Sequence, residues 1–156
     1  MQLFDLLSPE RIGLDLRATS RKRLLEMLSE HLLAGLSGVD ARPLFQDLCE
    51  RERKGTTGLG HGIAIPHARL ADLTEPRAAA LRLRKPVDFD APDGEPVDLV
   101  FGLALPAASG QDHLPLLKQF AEQIRDDGYR EALRAAETPR QMLRVMKEWQ
   151  DDSDDD

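Results

Sequence analysis

Of the four histidines in this sequence, His67 has the surroundings best suited to chemistry. It directly follows Gly62-Ile-Ala-Ile-Pro66, which in turn closes the glycine-rich stretch GTTGLGHG, Gly55 to Gly62. Glycines ahead of a histidine let backbone N–H groups approach an anion closely. Pro66 stiffens the chain just before the ring. Imidazole is nucleophilic and substantially neutral near pH 7. Together these features suit a phosphoryl group carried on a ring nitrogen. The competing reading is that His67 is simply a polar residue at the end of a strand.

The elements around it must then present that ring. Ile12, Leu14 and Leu16 alternate with Gly13 and Asp15, which predicts a short strand. Thr19 and Ser20 can cap a helix whose stripe is Leu24, Leu25, Leu28, Leu32 and Leu33, ended by Gly35 and Gly38. Asp40 can cap a second helix, which runs through Leu44, Phe45 and Leu48 into Arg51-Glu52-Arg53-Lys54 and stops at Gly55. Ile63-Ala64-Ile65, Ala78 to Leu83 and Val97 to Leu105 read as strands, with loops or turns expected at Lys85-Pro86 and Ala91-Pro92-Asp93-Gly94. The almost wholly apolar Leu99 to Leu105 predicts a central strand covered on both faces. Three helices follow, one after Asp112-His113, one after Gly128 and one from Thr138-Pro139. The expected fold is α/β: one domain, residues 1–150, with a mixed β-sheet flanked by helices on both sides. Residues 151–156 are expected to be a disordered acidic tail.

Composition narrows the function. The formal charge is −7, and five acids lie in the last six residues; without them 23 acids face 21 bases. Such a body lacks the basic footprint of a nucleic-acid binder. Cys49 is the only cysteine, which excludes an internal disulfide and any multi-cysteine metal site. The histidines and acids show no metal-ligand spacing, and no cofactor is implied. The longest apolar stretch, Leu99 to Ala108, is far short of the roughly 20 residues of a membrane helix. Without a basic region before its first apolar residues the chain does not read as secreted, so a cytoplasmic location is expected.

The run RERKGTTGLGHGIAIPHARL, Arg51 to Leu70, resembles the active-site segment of enzyme IIA domains of the mannitol/fructose class of the bacterial phosphotransferase system. The nearest subclass is the stand-alone nitrogen-related regulatory enzyme IIA. The likeness continues through Glu95-Pro-Val-Asp-Leu-Val-Phe101 and Asp112-His113-Leu114, and covers nearly the whole chain up to the acidic tail. The resemblance implies that His67 is the phosphorylated histidine, at Nε2. It also implies that Arg51, 16 positions earlier, and His113, 46 positions later, are active-site residues. His61 departs from the pattern, since nitrogen-related members usually have Asn there.

These roles agree with the residue types. Transfer between two imidazoles needs an in-line approach and neutralisation of the phosphoryl oxygens. Arg51 can offer a planar fork of donors, and His113 one hydrogen bond from a helix start. Loop N–H groups at Thr56, Thr57, Gly60 and Gly62 are expected to supply the rest. Leu59, Ile63 and Ile65 are expected to build an apolar rim. His31 and Cys49 read as structural.

The resemblance therefore implies a phosphotransferase component that accepts a phosphoryl group from a histidine-containing phosphocarrier protein and regulates partner proteins according to its phosphorylation state. No acceptor domain follows in this sequence, and Cys49 is not placed like an acceptor cysteine, which favours regulation. The alternative is a component that passes the group to a separate sugar-specific IIB protein. A degenerate binding module is the third reading, and the intact Arg51, His67 and His113 set speaks against it.

Overall fold

The computed structural model describes residues 1–107 and 113–154, so Asp112, read above with His113, lies outside the described residues. Two short 3-10 turns, Leu3–Leu6 and Pro9–Arg11, lead into strand β1 (Ile12–Leu16). Helices α1 (Arg21–Leu32) and α2 (Arg42–Lys54) follow, and then β2 (Gly58–Gly60), β3 (Ile63–Ala64), β4 (His67–Leu70), β5 (Arg77–Val87) and β6 (Val97–Pro106). Helices α3 (Leu114–Gln123), α4 (Asp127–Ala135) and α5 (Pro139–Asp154) form the last third.

Capping side chains set several of these starts. Ser20 Oγ accepts from Arg23 N–H at 3.1 Å, and Thr138 Oγ1 from Gln141 N–H at 3.1 Å. Asp126 accepts from Tyr129 N–H at 3.1 Å, so α4 begins at Asp127 and takes Gly128 into its first turn rather than starting after it. No Gly or Pro interrupts α5 after its first residue, and its helical backbone continues to Asp154, into the segment expected to be a disordered tail. Among the described residues no helix is long and apolar enough to cross a membrane.

The sheet is mixed, with strand order β1-β5-β6-β3-β2, and β4 also pairs with β6. β3 and β4 are one interrupted strand. Ile63 lies opposite Leu99 and His67 opposite Leu103, both in parallel pairing and both 36 positions apart. The break falls at Pro66, which has no N–H for a ladder. Side chains of β6 alternate between two cores. Val97, Val100 and Ala104 meet α1 and α2, whereas Leu99, Phe101, Leu103 and Leu105 meet α3, α4, α5 and the first 3-10 turn. The apolar run of β6 is thus a strand buried on both faces, as the sequence predicts.

Three local readings change. β2 and β4, too short and too polar or Gly-rich to register as strands, form because tertiary neighbours pair with them. Lys85-Pro86 is not a turn but part of β5, within the stretch where its register with β6 shifts between Arg82 and Val87. A bulge of this kind tolerates proline. Ile63 and Ile65 are buried in the core rather than forming a rim.

Gly102 makes room for α1. A Cβ built there would lie 2.6 to 2.8 Å from three atoms of the fully buried Leu28 side chain. Gly102→Ala is expected to destabilise the protein by about 1–3 kcal/mol through overpacking. The urea unfolding midpoint measures this, and an unchanged midpoint would mean that Leu28 has space to yield.

Candidate functional site

His67 opens β4, at the edge of the sheet beyond the short β2. Its side chain follows Ile63 and Ile65 in the alternation and so points to the face covered by α3, α4 and α5. On the open edge Ile65 has no neighbouring strand. Its N–H instead donates to the Thr57 carbonyl at 3.0 Å, and its carbonyl is left for the His67 ring. His67 Nδ1 lies 3.1 Å from that carbonyl oxygen. A carbonyl only accepts, so Nδ1 carries the proton and Nε2 keeps its lone pair.

The ring is half-buried, and its surroundings favour the neutral form. Burial pushes the His67 imidazole below the ordinary histidine value; the hydrogen bond to Ile65 opposes this, Arg51 lowers it further, Glu52 opposes, and Arg69 lowers it again. The NMR titration midpoint of His67 is therefore expected below the ordinary value of about 6.5. Since the unfolded chain takes up this proton first, its contribution to stability is intact above pH ~6.5 and declines as pH falls below it. A midpoint above 6.5 would reverse that order.

Helix α2 brings Arg51 to this ring. Asp47 Oδ2 accepts from the edge N–H of Arg69 at 2.8 Å, which lays α2 along β4. Arg51 lies one helical turn, about 6 Å, beyond Asp47, and His67 two strand residues, about 7 Å, before Arg69. The charge of Arg51 acts on the His67 ring. One of its guanidinium nitrogens donates to the Gly55 carbonyl at 2.8 Å, where a cation also suits the helix C-terminus.

His113 sits at the N-cap of α3, with φ −97° and ψ 4°, and is only 5% exposed. Neither of its ring nitrogens has a hydrogen-bond partner among the described residues. Buried polar groups are normally paired, so this ring is a donor or acceptor in want of a partner. It belongs to the same side of the sheet as the His67 ring.

The expected cradle of loop donors takes a different form. Thr56 gives its hydroxyl proton to the Phe89 carbonyl, and the same oxygen accepts from Gly58 N–H at 3.0 Å. Thr57 donates both its N–H, at 3.1 Å, and its hydroxyl to Glu52. Gly60 and Gly62, with φ of 91° and 79°, make the tight turn between β2 and β3. Asp93 accepts from His61 N–H at 2.8 Å beside Gly60, and Arg134 donates to the His61 carbonyl at 2.6 Å while pairing with Asp98 beside Gly62. Five residues of extended chain separate Gly62 from His67, or about 16 Å. Those two glycines serve the hairpin that precedes the strand leading to His67.

Two residues escaped the sequence reading. Arg69 follows His67 on the same face of β4, and the period of two could have found it. Glu52 had no such signal, because it stands in a run of charges that reads as a solvated helix end. Its carboxylate is nevertheless buried, with 4% side-chain exposure, and lies 3.7 Å from Arg21. Leu114, half exposed beside His113, is the apolar residue that does face solvent here. Among the described residues no group of three His, Cys, Asp or Glu side chains could hold a metal ion. The described residues present an imidazole with a free Nε2 lone pair, a guanidinium whose charge acts on it and, on the same side of the sheet, an imidazole whose nitrogens have no partner among them.

The family model described as phosphoenolpyruvate-dependent sugar phosphotransferase system, EIIA 2, matches residues 5–149. The chain is 40% identical over 146 residues to a nitrogen regulatory protein of Pseudomonas aeruginosa, covering 94% of this chain and 95% of that one. It is 36% identical over 140 residues to a phosphotransferase-system fructose-specific EIIA component of Haloferax volcanii, covering 89% and 90%. The crystal structure of nitrogen regulatory protein IIA-Ntr from Neisseria meningitidis matches with a TM-score of 0.84 and 36% identity, over 92% of this chain and 97% of that one.

Proposed function

Because the chain belongs to the EIIA type 2 family of the phosphoenolpyruvate-dependent sugar phosphotransferase system, we propose that it is a regulatory phosphocarrier that receives a phosphoryl group on His67 Nε2 from a histidine-containing phosphocarrier protein. The observation that carries this reading is the bond from His67 Nδ1 to the Ile65 carbonyl, which leaves Nε2 as the free nucleophile. In the transfer the donor's N–P bond breaks, its electron pair stays with the donor imidazole, and the Nε2 lone pair forms the new bond to phosphorus. No proton need leave Nε2. The ring gains positive character as it attacks, and the Ile65 carbonyl on Nδ1–H stabilises it. Arg51 and His113 neutralise the oxygens of the group in flight.

Phosphorylation by the purified donor protein, followed by mass mapping of the acid-labile phosphate, tests the assignment. Label at His113, or at neither histidine, would remove it.

Regulation of partners is favoured over sugar uptake by the greater likeness to the nitrogen regulatory relatives. A phosphoryl group adds negative charge at the sheet edge where the Arg51 charge acts on the His67 ring, which alters what that surface can bind. Only a difference in affinity between the two forms can transmit a signal. The phosphorylated and free proteins are therefore expected to bind a non-sugar regulatory partner with different affinities, measurable by titrating each form. The likeness to the fructose component keeps a second reading in place, transfer to a separate sugar-specific IIB protein. Equal affinity in both forms, together with rapid transfer to such a protein, would establish it instead.

A further inference from the structure

Glu52 is buried one residue beyond Arg51 in α2, yet it has no part in the transfer as described. Its carboxylate accepts from Thr57 N–H at 3.1 Å and from the Thr57 hydroxyl. The Thr57 carbonyl accepts from Ile65 N–H at 3.0 Å, and the Ile65 carbonyl lies 3.1 Å from His67 Nδ1. Three consecutive residue-to-residue hydrogen bonds thus connect a buried carboxylate to the ring. Each link fixes one backbone segment: the end of α2, the entry to β2, and the strand just before Pro66. Burying a carboxylate is costly unless its oxygens are satisfied, and here Thr57 and Arg21 satisfy them. A neutral side chain would pack there at less cost, so this placement asks for a role that needs the charge.

We propose that Glu52 is a positioning residue for His67, holding the ring in its Nδ1–H form through Thr57 and Ile65 and placing a fixed negative charge that disfavours retention of the phosphoryl group. The inference rests on His67 being the phosphoryl acceptor. The carboxylate acts on the ring alongside Arg51 from its own helix and Arg69 from β4, while Arg21 from α1 partly neutralises it. Asp47 is engaged with Arg69 N–H, and the His113 ring comes from the side of α3. Glu52 is an acid whose charge acts on the His67 ring, against those of Arg51 and Arg69. It repels an incoming dianion, so it works against storage and in favour of passing the group on.

The test compares Glu52→Gln and Glu52→Ala with the unmodified full chain. Gln keeps the volume and an acceptor for Thr57 but removes the charge, and Ala removes both. In the unphosphorylated proteins, nitrogen-15 NMR of His67 is expected to show a lower titration midpoint in Glu52→Gln, with the Nδ1–H form kept. In Glu52→Ala the ring should become a mixture of tautomers. With the donor protein, the equilibrium fraction of phosphorylated His67 should rise several-fold in Glu52→Gln. If Glu52→Ala fails to fold, the Gln variant decides alone. A folded Glu52→Gln protein with unchanged midpoint and unchanged equilibrium would show that Glu52 is merely structural. The ring measurements need no phosphoryl group, so a chain that takes up no label at His67 would overturn the phosphocarrier reading while leaving the Glu52 effect on the ring to be read separately.

Discussion

A His67→Ala protein is expected to take up no acid-labile phosphate from the donor protein and to unfold at nearly the same urea concentration as the unmodified chain. The first half follows from chemistry, because Ala has no lone pair to attack phosphorus. The second follows from placement. The ring is half-buried on an edge strand, and among the described residues its one hydrogen bond is to the carbonyl of Ile65 two residues earlier. Loss of that bond frees a carbonyl on the open edge, where water can replace the partner at a cost of about 1 kcal/mol or less. Full labelling of the Ala variant would end the assignment. A large fall in the midpoint would mean that the ring supports the fold as well.

Arg51→Ala and His113→Ala are each expected to slow single-turnover phosphoryl transfer by about tenfold or more, the usual consequence of removing a donor aimed at developing charge. The two should differ in other respects. Arg51 is at the surface end of α2, so its loss should leave stability nearly intact and weaken the salt dependence of transfer. His113 is buried, and its removal leaves a space in the structure, so some stability should go with the rate. His113→Gln separates the two effects, since it fills most of the space and keeps a donor. Unchanged rates in both Ala variants would reduce Arg51 and His113 to neighbours of the ring.

How much of this was readable in advance depended on whether a signal was local. The apolar run of β6 announced a strand with two buried faces, and the structure divides its side chains between two cores. The caps at Ser20 and Thr138 were equally legible, because a cap acts within three residues. Glycines were ambiguous. A positive φ serves an anion nest and a hairpin turn alike, and what decides for Gly60 is Asp93, which is distant in sequence. Strands β2 and β4 were hidden for a similar reason, being held by partners rather than by their own composition. Glu52 was the least legible residue of all. Within Arg-Glu-Arg-Lys nothing local distinguishes the one side chain that turns inward.

The position of β6 in the sheet has a consequence for how the protein is made. β6 pairs with β5, β3 and β4, and each of those pairings waits for residues 97–106. Until the ribosome has delivered them, β3 and β4 have no parallel neighbour, and β1 can join only β5, across the 68 positions between Ile12 and Ala80. What can form early is the α1–α2 pair, whose contacts are local. A nascent chain stopped short of β6 therefore exposes the apolar faces of these helices and of β5 together. Such a fragment is a natural client for chaperones and a poor survivor among proteases, and completion of a single strand in the last 60 residues converts it into a folded sheet.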